Sequence, residues 1–583
     1  MQDSFTYWDW AVVAAYLIFT TWIGHALRGK QSTIRDFFLG GRSLPWLAVC
    51  GSIIATEISA LTFIGVPGTV FAVKGDFTYL QWALGSVMAR VAVGVWLVPL
   101  YYREEIYSPY DYMGKKLGIG IKRLVTLLFS LGGILGASVR VLVTAVILKV
   151  VTPLEIHTCI IVIGMFAVFW TWMGGMRTVI WTDVIQFFMF VFGGLIALIW
   201  LISGVNGGWA EISESNREAN VVTMTWNDKP AEFTSFQVNQ EDGTSVRQIV
   251  IVKDNKGKPT LVGDVVVKGD ELSVVVDQKT FPAEFKTKNK MKVIEMRLRD
   301  PETRSFFIFT FWIAIFAMPF QNFAAFGTDQ LMAQRLFCCK DVSAARKAII
   351  WSSASQLITI LMLLVSAGLY AWYQQKGVSP TEFSLFSVET NNVFPIWITT
   401  VLPVGLSGLI VACAFAAAIS SLDSILAALS QTTLSAIYGN DKFAHEEESG
   451  KMVWKSRLMV ILWGITLTAV SILLYIPYRN GGSDLIGFAF KMVSYTYGPI
   501  LGILLLAIFP VRSSVNGIVI GTILSIVLAL LVGGDLSNVL NFFGVENASD
   551  IRVTAFPYPW LFPINAAITF FFGWIFAAGR AKS

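Results

Sequence analysis

Charge is what this chain of 583 residues has least of. Asp, Glu, Lys and Arg make up 14 % of it and hydrophobic residues 55 %, where a soluble domain carries about 25 % charge. With a mean hydropathy of +0.63, the composition excludes an ordinary soluble protein and implies a polytopic membrane protein. Cysteine is scarce as well. Cys50, Cys159, Cys338, Cys339 and Cys413 form no CxxC pair and four lie in or beside apolar segments, which fits packing rather than metal or disulfide chemistry. His25, His157 and His445 are scattered and make no metal cluster. There is no ATP motif, nucleotide-binding glycine loop, low-complexity tract or basic-aromatic patch, so no nucleic-acid partner is expected despite the net charge of +5. Met1–Tyr7 lacks a basic start, so no cleavable signal peptide is expected.

What is present is a series of apolar runs. Thirteen are long enough to span or nearly so, at 8–27, 44–72, 77–101, 120–151, 155–174, 179–203, 306–331, 345–372, 396–437, 453–475, 485–509, 514–532 and 559–579. The fourth and ninth are long and expected to bend or tilt, and Gly132, Gly133, Gly136, Gly405 and Gly408 allow close helix approach. Basic residues gather in alternate loops, among them Arg28, Lys30, Arg35, Arg42, Arg103, Lys122, Arg177, Arg335, Lys340, Lys451, Arg580 and Lys582. The positive-inside rule then puts the N-terminus outside and the C-terminus in the cytoplasm of a multi-pass plasma (inner) membrane protein.

Residues 204–304 break the pattern on the outer side. Alternating runs at 221–226, 233–238, 246–253, 261–268, 272–277 and 291–299, with turns at 241–243, 255–257 and 268–270, read as a small antiparallel β domain. It is either a non-catalytic insertion or a site for an extracytoplasmic partner.

The stretch Gly51–Gly68 organises the rest. Thr56, Glu57 and Ser59 sit at mid-depth of an apolar helix, and Gly65, Pro67 and Gly68 follow at once. A Pro/Gly-interrupted membrane helix carrying an ionisable group points to a transporter binding site; the alternative is a kinked structural helix with Glu57 paired. Further along, Asp183 enters a helix in GGMRTVIWTDVIQ, as a cation site or as an interfacial cap. Ser420, Ser421, Asp423 and Ser424 follow three alanines in AAAISSLDS, offering either oxygen ligands or helix packing. GTDQLMAQR, 327–335, reads as a turn, with an interface-anchored amphipathic segment as the plain alternative. Arg140 lies inside the fourth segment. Its rigid fork suits a carboxylate, either a substrate's or that of Glu57.

Together these four motifs, in this order, resemble the sodium:solute symporter family, whose members carry sugars, proline, iodide, monocarboxylates, vitamins and sialic acids. The likeness covers 8–579 except the β insertion. It implies an all-α membrane protein of LeuT-type fold, with an extra first helix, two inverted five-helix repeats at roughly 44–203 and 306–475, and two helices after. The domains are then 1–203, 204–304 and 305–583.

The resemblance also implies Na+ as the coupling ion. Its main site falls on the carbonyls of Ala55, Ile58 and Ala417 and the hydroxyls of Ser420 and Ser421. A second sodium, known in some members, falls on Asp183, Asp423 and Ser424. Substrate contacts carry onto Ser59, Thr62 and Arg140, with Glu57, Tyr79 and Gln81 as further lining. The implied function is sodium-coupled import of a small organic acid such as a sialic acid or monocarboxylate, not enzymic catalysis. A sugar or polyol symporter, or a membrane sensor on the same fold, is the alternative. Expected partners are the solute and membrane lipid.

Overall fold

A computed structural model describes residues 5–27, 39–104, 106, 108–173, 175–226, 229–240, 242, 244–253, 259–268, 271–300, 306–388, 390–445, 450–481, 485–536 and 556–578. Arg28, Lys30, Arg35, Arg580, Lys582 and most of the three β turns lie outside the described residues.

The apolar runs fold as α1 (Tyr7–Leu27), α2 (Trp46–Glu57), α3 (Leu61–Phe71), α4 (Phe77–Arg103), α5 (Ile119–Val151), α6 (Ile156–Met173) and α7 (Met176–Gly204). After the insertion come α8 (Phe311–Gly327), α9 (Gln330–Leu336), α10 (Val342–Lys376), α11 (Leu406–His445), α12 (Gly450–Gly481), α13 (Leu485–Ile508), α14 (Val515–Gly533) and α15 (Leu561–Ala578). Among the described residues, ten helices are long and apolar enough to cross a membrane, or eleven with α2 and α3 counted as one bent span. Ile156–Trp172 and Phe311–Gly327 are shorter apolar helices, so length and composition alone do not reach the expected thirteen. The expected segment 306–331 is cut short by polar caps. Thr310 accepts from Ile313 N at one end, and Asp329 accepts from Leu331 N to start α9. The ninth segment is likewise interrupted: Val393–Val401 is a separate helix, and α11 begins after Gly405, which has a positive φ of 86°.

The break in 44–72 lies upstream of its proline. Ile58 N bonds Ile54 O as the last turn of α2, Ser59 Oγ accepts from Leu61 N, and α3 leaves at 52°. Pro67 removes one donor, and the chain meets this with a widened turn over Leu61–Gly65. Ser59, rather than Pro67, caps the second half.

Helix α11 is the hub, almost wholly buried over Leu406–Tyr438 and packed chiefly against α7, α5, α1 and α12. Asp9 of α1 caps it, accepting from Gly405 N at 2.7 Å, Ser407 Oγ at 2.7 Å and Gly408 N at 3.0 Å. A Cβ on Gly408 would lie 2.6 Å from the Asp9 carbonyl oxygen, so only glycine admits that approach. Gly132 and Gly136 of α5 do the same against Thr496 and Val493 of α13.

The insertion is a seven-stranded antiparallel sheet, ordered β2-β1-β7-β6-β5-β4-β3: β1 (Ala219–Trp226), β2 (Lys229–Thr234), β3 (Phe236–Asn239), β4 (Ser245–Lys253), β5 (Pro259–Lys268), β6 (Glu271–Val276) and β7 (Lys279–Lys288). Val222, Ile249, Val265 and Val274 form part of its own small core. Two expectations fail here. The run 233–238 is split between β2 and β3. The run 291–299 is an irregular strap in which Glu295 turns inward to bond Lys292 and Arg297; the strand that pairs with β1 is β7, which its Pro282 and many charges disguised.

Candidate functional site

A cavity of about 180 Å³ opens at the α2–α3 break. Five of the six residues expected to contact a substrate line it: Glu57, Ser59, Thr62, Tyr79 and Arg140. Gln81 does not. It is buried, its amide donates to Thr78 O and Phe309 O, and its Oε1 accepts from Glu295 N, so it buttresses the strap instead.

The question left open at Arg140 is decided by Arg90. Glu57 is ion-paired to Arg90 of α4, and Gln356 Nε2 of α10 donates to the other carboxylate oxygen at 3.3 Å. Arg90 is fully buried, bonded to Ser352 Oγ at 3.3 Å and Ser355 Oγ at 3.1 Å, and lies over the Phe326 ring. Glu57 is thus neutralised away from Arg140. Arg140, half-buried, turns toward the cavity, and among the described residues no carboxylate stands within ion-pair distance of it. Asp329 lines the same cavity, its Oδ2 accepting from Tyr497 Oη at 2.5 Å.

Around Ser420 and Ser421 the expected oxygens converge. Ser420 Oγ donates to Ala55 O at 2.9 Å and to Ala417 O at 3.3 Å; Ser421 Oγ donates to Ala418 O at 3.0 Å. Ile58 is the residue at which α2 ends. The donors are neutral carbonyls and hydroxyls, all buried, and α2 stops before its last carbonyls are claimed by its own turns. That donor set fits a monovalent cation with low charge density.

The third constellation is corrected by Arg335. Counted from the sequence as a cytoplasmic loop charge, it is fully buried, as are all of Gln330–Leu336, so the turn is not interface-anchored. Its guanidinium bonds Asp183 Oδ2 at 2.9 Å, Ser52 Oγ at 2.9 Å, the Leu331 carbonyl at 2.8 Å and the Ser424 hydroxyl. Ser52 Oγ donates to Asp183 Oδ2 at 2.5 Å, and Asp423 Oδ1 accepts from Ser424 at 3.1 Å in the same cluster. Asp183 and Ser424 thus share the Arg335 side chain, and Asp183, fully buried within α7, is not an interfacial cap. Lys122 is similar: it too is buried, paired with Asp111 at 2.8 Å.

The sequence reading missed Arg90, Gln356, Asp329 and Tyr497. Arg90 was findable, because it lies within an apolar run just as Arg140 does. Asp329 stands in the GTDQLMAQR motif, whereas Gln356 and Tyr497 carry no local signal.

The sodium:solute symporter family model matches residues 37–253 and 260–525. The chain belongs to the sodium:solute symporter family. It is a multi-pass membrane transporter that couples organic solute import to sodium, and not an enzyme. The sodium/sialic acid symporter SiaT of Proteus mirabilis (strain HI4320) is 24 % identical over 554 residues, 94 % of each chain. The sodium/glucose cotransporter of Vibrio parahaemolyticus is 25 % identical over 528 residues, 88 % of this chain and 81 % of that one. A solved Na+-coupled sialic acid symporter, in a substrate-bound outward-open state, superposes with a TM-score of 0.71 over 99 % of this chain and 98 % of that one, at 21 % identity, and so shares the fold.

Proposed function

We propose that this symporter imports a small organic acid, a sialic acid or monocarboxylate, by alternating access. The observation that carries the reading is Arg140: a guanidinium that faces the central cavity with no carboxylate at ion-pair distance among the described residues, Asp329 across the cavity being held by Tyr497, while Glu57 is satisfied by Arg90. A cation so placed is costly to bury unless an anion joins it, and its fork binds a carboxylate through two bonds. Ser59, Thr62 and Tyr79 then serve a hydroxylated body. A neutral sugar would leave Arg140 unpaired, which places that reading second.

The main sodium binds at Ala55, Ile58, Ala417, Ser420 and Ser421, a reading supported by the meeting of Ala55 O, Ala417 O and Ser420 Oγ across α2 and α11. Sodium there ties the first half of the broken span to the hub, so its loss frees that half to move. Arg335 stands where a second sodium was expected, which favours one coupling ion. In the LeuT-type scheme the inverted repeats are α2–α7 and α8–α13; the second runs past 475, because five spans are complete only with α13. The N-terminus and the insertion are outside, the C-terminus is cytoplasmic, and lipid covers the outer helices.

The test is sodium-driven uptake into proteoliposomes of a sialic acid, a monocarboxylate and a hexose. Acid uptake that needs a sodium gradient is the expected result; hexose uptake without acid uptake overturns the proposal.

A further inference from the structure

Among the described residues of the insertion two charges are buried, Glu295, which bonds within its own strap, and Lys290, which reaches outside it. Lys290, just past β7, is 2 % exposed. Its Nζ donates to Ala72 O at 2.7 Å, Val70 O at 3.0 Å and Phe71 O at 3.4 Å, lies 3.5 Å from Gly75 O, and sits 5.0 Å from the Tyr370 ring of α10. These are the carbonyls that end α3, where a cation meets the negative pole of the helix. The contact runs both ways: Lys290 O accepts from Phe77 N at 3.0 Å, at the start of α4. Lys288 Nζ reaches Val73 O, and Phe236 of β3 stacks on Phe71. On the far side β3 is bonded to the chain beyond α10, Val378 N to Gln237 O at 2.8 Å and Asn239 N to Val378 O at 2.9 Å.

We propose that the β insertion is a positioning element for transport, and that Lys290 is its latch, fixing the end of the second half-span α3 to the sheet. The proposal rests on the symport reading. It makes Lys290 a positioning residue, since it touches helix ends and not the cavity.

Burial, with Lys288 adding to it and Asp76 opposing it, lowers the pKa of the Lys290 amine from its ordinary value, while the helix-end carbonyls around Nζ favour the ammonium; the Tyr370 ring is the other group facing it.

The experiment is hydrogen exchange of the Ala72, Gly75 and Phe77 amides, which bond Gly68 O, Ala72 O and Lys290 O, in the full chain in proteoliposomes. Lys290→Met is expected to lower their protection about tenfold, Lys290→Arg to restore part of it and Lys288→Met to leave it near wild type. Wild-type protection in a folded Lys290→Met overturns the latch, and so does wild-type protection of these amides no higher than that of exposed loop amides, which needs no variant to fold. Uptake of a sialic acid on the same preparations separates the two readings. Wild-type uptake rates in a folded Lys290→Met overturn the positioning role, whereas no acid uptake by wild type with the protection pattern intact overturns the acid-symport reading and keeps the latch.

Discussion

Glu57, at the break between α2 and α3, gives one carboxylate oxygen to Arg90 of α4 and the other to Gln356 of α10. Three elements around the cavity are thereby joined through a single side chain, and the charge balance on that side closes without Arg140.

The pair predicts a double-mutant pattern. Glu57→Gln leaves Arg90 buried with serine hydroxyls alone, and Arg90→Met strands the carboxylate. Each single change should lower stability by about 3 kcal/mol, the scale for breaking a buried pair. Glu57→Gln with Arg90→Met should recover much of that loss. Thermal melting of the three purified variants checks it, with additive losses excluding the pair.

Arg140 is expected to separate substrate from sodium. Arg140→Gln should abolish acid uptake while sodium binding, read by thermal shift, persists. Arg140→Lys should also be poor, because a point charge does not reproduce the bidentate fork. Since Glu57 is held by Arg90, neither change should resemble Glu57→Gln in melting.

For the coupling ion, Ser421→Ala removes a hydroxyl whose present bond is to its own helix, at Ala418 O. The helix should stand. Half-maximal transport should need roughly tenfold more sodium, the effect of losing about 1–2 kcal/mol of ligand interaction. Unchanged sodium dependence would remove Ser421 from the site.

Topology is checked at Gln278, exposed in the β6–β7 turn with a positive φ of 65°. All five native cysteines are buried, so Gln278→Cys gives a clean target. An impermeant thiol reagent should label it in intact cells; labelling only after lysis reverses the orientation.

Acid stability is expected to depend on Glu295. Burial alone would raise its pKa, but bonds from Arg297 at 2.8 Å and Lys292 at 2.5 Å hold it down from 4.5 to about 2. Its contribution is full above the unfolded value and is lost as pH falls through the folded one. Wild type should therefore melt above Glu295→Gln at neutral pH, with the gap narrowing only below about pH 4.5.

The sequence by itself determined the membrane class, the order of the spans, the broken helix and the β insertion. These follow from local quantities: the length of an apolar run, polar and Gly/Pro residues set close together within one, and alternation along a strand. The convergence of Ala55 with Ser420 was legible only through resemblance, and tertiary structure then placed them 2.9 Å apart. What folding alone decided was pairing. Glu57 had several arginines within apolar runs to choose from, and nothing along the chain ranks Arg90 above Arg140. Arg335 reads as a loop cation beside a helix end, yet it is buried against Asp183, 152 residues away in sequence. Gln81 sits two residues from Tyr79 and faces away from the cavity. Hydropathy is a sum over neighbours in sequence, whereas an ion pair depends on which helix faces come together, and that is fixed by packing across the whole bundle.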